Sequence, residues 1–284
     1  MKLQVSKYKT ARTAKDTGVI FLYFLMIVFF LGPILWILSI AFKSPQELFS
    51  TPTLIPRNPT LENFKYVFTR TRMPVYIWNS IRLVIYTVLG TLAVAIPAAF
   101  AFSRFKFKHK SGMLLLILLF QMISAVVISI PLFRYYSQLN LLNNYFGLVM
   151  VYVAIQTPFA TYLMKGVFDG VPKDLDESAF IDGATRFQVL TRIIIPVSRS
   201  GISSAIIFIS INAWSQFIIP FFLINKDKMY PVAVGILMAQ GSFQDISIQY
   251  VAAAAIIGLL PAVLIVLFLQ KFIVSALLAG SIKG

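Results

Sequence analysis

Long apolar runs separated by short polar intervals set the plan of this chain. Residues 17–42 contain no charged side chain. A helix needs about 20 apolar residues to cross a hydrocarbon core about 30 Å thick, and this run is long enough. Comparable runs recur near 77–103, 112–133, 143–165, 201–224 and 250–270. The pattern predicts an all-α integral membrane protein, with six spans in one domain over 1–284. Pro33 is expected to bend the first span. A seventh apolar stretch, Met229–Gln244, has 16 residues and is interrupted by Pro231, Gly235 and Gly241. It is too short to span and reads as an interfacial or re-entrant piece. The last span carries Ala252–Ala255 and Gly258, small residues that let helices approach closely.

Charge orients the pattern. Lys2, Lys7, Lys9, Arg12 and Lys15 precede the first span. That span is longer than a signal-peptide core and no small-residue cleavage site follows it. With six spans both termini lie on one side. Sixteen of the 25 Lys and Arg then fall on the side of the termini and nine on the other. The positive-inside rule makes the first side cytoplasmic. The net charge of +15 is therefore read as membrane topology, not as a nucleic-acid footprint. Arg82, near the outer end of the second span, is expected to snorkel to the interface.

The longest polar interval of the second half, 172–201, lies on the cytoplasmic side. Its residues predict two short helices. Asp174 is placed as N-cap of the first, with Glu177 three residues on, and Asp176 adds charge to a first turn that favours acids. Gly183 is placed as C-cap. Thr185 and Gln188 repeat the capping-box spacing for the second helix, which Pro196 ends. Such an elbow, with Ala179, Phe180 and Ile181 at its tip, suits a groove on a partner.

Composition narrows the chemistry. The chain is 58% hydrophobic and 12% charged, with a mean hydropathy of +0.83. It has no cysteine and one histidine, His109, which excludes disulfides, thiolate sites and a histidine-based metal cluster. No phosphate-binding Gly-x-x-x-x-Gly-Lys-Ser/Thr loop is present, so no conventional ATPase site lies in this chain. Acids are nearly absent from the spans, which argues against an ion-coupled transporter. Catalytic residues, metal ligands and a bound cofactor are all expected to be absent. The polar groups left inside the membrane are neutral. Gln121, Asn212, Trp214 and Gln216 are the candidates to meet a hydroxyl-rich solute, against interhelical hydrogen bonding as the alternative.

Glu177, Ala179, Gly183, Ile193 and Pro196 stand at the spacing of the EAA motif, Glu-Ala-Ala, three residues, Gly, nine residues, Ile-x-Leu-Pro, with Ser178 and Ile195 as departures. Pro59–Phe64, the Ala101–Phe107 close of the second span, and the Ala279–Gly284 ending extend the match. Trp214–Pro220 is similar to a Trp-Asn-x-Phe-x-x-Pro segment, with Ser215 in place of Asn. The chain thus resembles the MalG-type permeases of carbohydrate-uptake ABC importers. The resemblance implies the six-helix MetI-like fold of type I importers, in a bacterial or archaeal inner membrane. It implies a second homologous permease, two ATPase subunits that hold ATP and Mg, an extracytoplasmic solute-binding protein, and a sugar or oligosaccharide as cargo. Asp174, Glu177, Ser178, Ala179, Asp182, Gly183, Ile193 and Pro196 would then couple to an ATPase, and Gly280, Ser281 and Lys283 would reach it from the tail. A membrane scaffold recruiting a cytosolic protein, an importer of another solute, and a secondary transporter are the alternatives.

Overall fold

The computed structural model describes residues 2–48, 50, 53–242 and 248–281, with side chains described over 19–48, 50, 53–238 and 248–267. The described residues form helices and no strand. They run α1 Lys2–Phe42, α2 Glu62–Arg70, α3 Met73–Arg104, α4 Lys110–Phe120, α5 Ala125–Gln138 and α6 Tyr145–Asp169. Then come α7 Asp174–Ile181, α8 Arg186–Val197, α9 Arg199–Ser215, α10 Ile218–Leu223, α11 Val232–Ser242 and α12 Ile248–Ser281. Four of these are long and apolar enough to cross a membrane, and up to six crossings result if the bent pairs α4–α5 and α8–α9 each count as one.

The chain divides into two compact units, residues 1–70 with 243–257, and residues 71–242 with 258–284. In the first, α1 continues as a helix through Pro33, and its apolar surface over Val19–Leu31 is exposed throughout. Asn63 on α2 donates to the carbonyls of Ala41 and Lys43, each at 2.8 Å, and so caps the end of α1. Lys43 donates to the Thr53 carbonyl, and the Glu47 carboxylate accepts from the backbone N–H of Arg57 at 2.8 Å. The Tyr66 and Tyr250 rings stack at 4.2 Å.

The second unit is built on α3, α6 and α9. Small residues allow these apolar helices to touch: Ala95, Ala160 and Ile209 are fully buried together. At Gly90, an added Cβ would come within 2.7 Å of Val153 on α6. Van der Waals contact of this kind is what holds helices together where lipid is as apolar as leucine.

Two expected spans are broken. Residues 112–133 form α4 and α5, which meet at 84° across Gln121–Ser124. Ser124 restarts the chain as an N-cap, its hydroxyl accepting from Val126 N–H. A hydropathy reading sees one run here, because a serine cap hardly lowers it. Residues 201–224 form α9 and α10, separated by an extended Gln216. Pro220 has no N–H to continue the α9 ladder and sits in the first turn of a new helix instead. The short stretch after it does fold as a non-spanning helix, α11, whose first N–H is held by the Ser80 hydroxyl at 2.8 Å.

Replacing Gly90 by leucine forces α3 from α6. The expected loss is about 1–3 kcal/mol, as for other overpacked sites. It is read as a lowered unfolding temperature of the purified protein in detergent.

Candidate coupling site

Gly183 has a φ of 82°, a backbone setting that glycine adopts without strain. It ends α7 with two bonds, from its own N–H to the Phe180 carbonyl at 3.1 Å and from Ala184 N–H to the Ala179 carbonyl at 2.9 Å. This is a Schellman closure. The next helix opens with the expected capping box: Gln188 N–H donates to the Thr185 hydroxyl, and Thr185 N–H to the Gln188 side-chain oxygen at 2.7 Å. The elbow is therefore fixed by hydrogen bonds at its turn. Its second arm passes through a π turn at Leu190–Ile194 and ends in an 81° bend into α9. Ile193 is half-buried, and exposed Pro196 lies two residues before that bend.

The first arm differs from the sequence reading at its start. Asp174 is the first helical residue and not the N-cap. Lys173 already has helical backbone angles, and its carbonyl accepts from Asp176 and Glu177 N–H. No side-chain cap forms, and Glu177 is exposed. With Lys173 already in helical geometry, the Asp174 side chain is not called on as a cap and stays exposed.

The two faces of α7 have opposite roles. Asp176 and Ala179, three positions apart, point inward. Ala179 packs in a buried cluster with Phe100, Met164, Phe168, Val189 and Ile194. Ala179 is therefore packed against this chain's own helices and is not part of the exposed tip where the sequence reading placed it. The outward face carries Leu175, Phe180, Ile181 at 88% exposure and, on α8, Phe187 at 73%. Asp174, Glu177, Ser178 and Asp182 surround them and are exposed.

Arg104, the last residue of α3, anchors the inward face. Its Nε pairs with the Asp176 carboxylate, and both side chains are more than nine-tenths buried. Its Nη1 donates to the Phe168 carbonyl and its Nη2 to the Val171 carbonyl, each at 3.0 Å. A cation on the last carbonyls of a helix also meets the negative end of its dipole. Beside it, Ser103 donates to Asp169 at 2.7 Å, and Lys165 pairs with Asp169. On the other flank, the Arg186 guanidinium lies 4.7 Å from the centre of the Phe105 ring. The sequence reading had Arg104 only within the Ala101–Phe107 close of the second span, and Asp176 as a dipole charge. Seventy-two positions separate them, and no local pattern announces such a pair.

The candidates for a solute path are scattered in role. Trp214 is buried, and its indole N–H is taken by the Gly258 carbonyl at 3.0 Å. Asn212 is exposed and its amide donates to the Phe208 carbonyl one turn back. Gln216 enters through its backbone carbonyl, which accepts from Tyr152. Gln121 lies at the break of the third span and lines a cavity of about 430 Å³ with Phe120, Ile128, Ala154 and Pro158. Gly280 and Ser281 close α12, with side chains outside the described residues, and Lys283 lies outside the described residues altogether.

A family described as the binding-protein-dependent transport system inner membrane component matches residues 91–278. The chain belongs to that family. Its elbow, broken spans and apolar helices are thus those of an inner-membrane transport component. The trehalose/maltose transport system permease protein MalG of Thermococcus litoralis is 33% identical over 92% of this chain and 94% of its own length. The galactooligosaccharides transport system permease protein GanQ of Bacillus subtilis is 33% identical over 91% of this chain and 92% of its own. The sulfoquinovosyl glycerol transport system permease protein SmoH of Agrobacterium fabrum is 30% identical over 89% of each. Among solved structures, a bacterial ABC transporter involved in the import of alginate superposes with a TM-score of 0.77 at 20% identity, over 92% of this chain and 97% of its own. The all-α, MetI-like permease fold follows.

The two faces of α7 separate in a stability measurement. Ala179→Leu is expected to cost about 1–3 kcal/mol by overpacking, while Ile181→Ser changes stability by no more than about 0.5 kcal/mol. Thermal unfolding of the two variants side by side checks this.

Proposed function

We propose that this chain is a permease subunit of an ATP-driven importer for a sugar or oligosaccharide, coupled to an ATPase through the elbow at 172–201. The observation that carries the reading is the division of α7 into a welded inner face and an exposed apolar tip. Leu175, Phe180, Ile181 and Phe187 lie outside unit 2's core cluster, while Ala179 is packed in it and Asp176 is held by Arg104. An exposed apolar tip on a loop whose turn is locked by hydrogen bonds is suited to fill a preformed cleft, because little further order is lost on docking.

The sugar assignment rests on the relatives, which are named for trehalose and maltose, for galactooligosaccharides and for sulfoquinovosyl glycerol. The solute path would be shared with a second permease, and a solute-binding protein would deliver the cargo from outside. ATP and Mg would be held by two partner ATPase subunits. Both termini would be cytoplasmic, and Gly280, Ser281 and Lys283 would approach the ATPase from the tail. The coupling set would be Asp174, Glu177, Ser178, Asp182 and the apolar tip at the contact. Gly183 would shape the turn, and Ala179, Ile193 and Pro196 would hold the elbow to its own spans.

The chain has no cysteine, so a single new one is a clean reporter. Ile181→Cys, produced with the candidate ATPase carrying a cysteine in its membrane-facing cleft, is expected to form a disulfide whose yield changes with ATP. A complete set of cleft positions that gives no cross-link, with every subunit in the membrane, would sink the coupling role.

A further inference from the structure

We infer that residues 103–105 clamp α3 to the end of α6 and to both arms of the elbow, making this helix a third lever that carries elbow motion to the outer face, with Arg104 as the positioning residue. The inference rests on the coupling role proposed above. The polypeptide itself links the elbow to α6 at one end and to α9 at the other. It does not link the elbow to α3, yet Arg104 and Phe105 at the end of α3 reach it, and Ser103 beside them reaches the end of α6. Ser103 holds Asp169 at the end of α6, Arg104 holds Asp176 on α7, and Phe105 lies under Arg186 on α8.

The central contact is stiff for a chemical reason. A guanidinium is planar, and its donors sit in a fixed fork. Here all three nitrogens are engaged, on one carboxylate and on the carbonyls of Phe168 and Val171. The Arg104 and Asp176 side chains are 7% and 8% exposed, so water does not compete for these bonds. An elbow that moved without α3 would have to uncover a buried ion pair and the end of α6 together.

The other end of α3 holds an outer segment just as directly. Asn79 donates to the carbonyls of Lys228 at 2.9 Å and Tyr230 at 3.0 Å, and Tyr76 donates to Asp227. Ser80 accepts from Val232 N–H. Between these ends α3 is one continuous helix of 32 residues, about 48 Å long at 1.5 Å per residue. One rod therefore joins the cytoplasmic elbow to the outer 227–232 segment. A shift at the elbow is delivered to the face where solute arrives, and occupancy of that face is felt at the elbow.

The test uses the complete transporter in proteoliposomes, with solute-loaded binding protein outside. Arg104→Met removes the charge, and Arg104→Lys keeps the charge but not the fork. The readout is the factor by which loaded binding protein stimulates ATP hydrolysis, beside the Ile181→Cys cross-link as a measure of docking. With the cross-link intact, Arg104→Met is expected to lower that factor about tenfold and Arg104→Lys about threefold, within the span typical of coupling between sites. Loss of bulk stability alone would lower assembly and cross-link together and leave the factor of the assembled complexes unchanged. An unchanged factor with docking retained overturns the inference and leaves the elbow's role standing. Absence of the cross-link in the otherwise unaltered protein overturns the coupling role itself. Should Arg104→Met fail to assemble, Arg104→Lys decides by the same criterion.

Discussion

A buried guanidinium on a buried carboxylate holds the elbow end of the second unit together. Arg104 and Asp176 come from helices far apart in the chain, and both are withdrawn from water. Charges so placed are tolerated only when paired and hydrogen-bonded, and removal of one partner from such a pair costs about 3–5 kcal/mol. The carbonyls of Phe168 and Val171 complete the guanidinium's fork, so one side chain both satisfies the end of α6 and fixes the start of α7. The packing of Ala179 against Phe100, Met164 and Phe168 depends on that placement. Everything the elbow can do as a rigid body follows from this anchoring.

The membrane imposes the second constraint. Within hydrocarbon each backbone group must find a partner inside the protein, so an irregular segment survives only where side chains repair it. Each interruption of the spans shows such a repair. Ser124 caps the restart of the third span, and the Tyr152 hydroxyl meets the carbonyl of the extended Gln216. The π turn at Leu190–Ile194 comes just before Pro196, where a missing N–H disturbs the ordinary ladder. Between the breaks, glycine and alanine let α3, α6 and α9 approach closely enough for dispersion to act over long contacts.

The exposed apolar surface is consistent with a chain that works inside an assembly. Helix α1 buries almost nothing of its Val19–Leu31 stretch within its own unit, as a helix facing lipid or another subunit would. At the elbow the exposed apolar residues are few, are ringed by acids and stand on a locked turn. Lipid contact rewards area, whereas docking rewards a small group held in place. The first description fits α1 and the second fits Ile181 and Phe187.

The sequence by itself determined the class of the protein, the number of apolar runs, the polar interval at 172–201 and its glycine turn. These are local properties. Hydropathy is summed over neighbours, a capping box spans three residues, and the Gly183 turn needs only a missing Cβ. It also carried enough motif spacing to indicate the family. The tertiary structure decided what depends on distant partners. It showed that Ala179 faces inward and Ile181 outward, that Trp214 has spent its N–H on Gly258, and that α4 and α5 meet at a steep angle. It alone joined Arg104 to Asp176. A buried ion pair between two helices leaves no periodic trace in either segment, because its geometry is set by how the helices pack and not by the residues beside it.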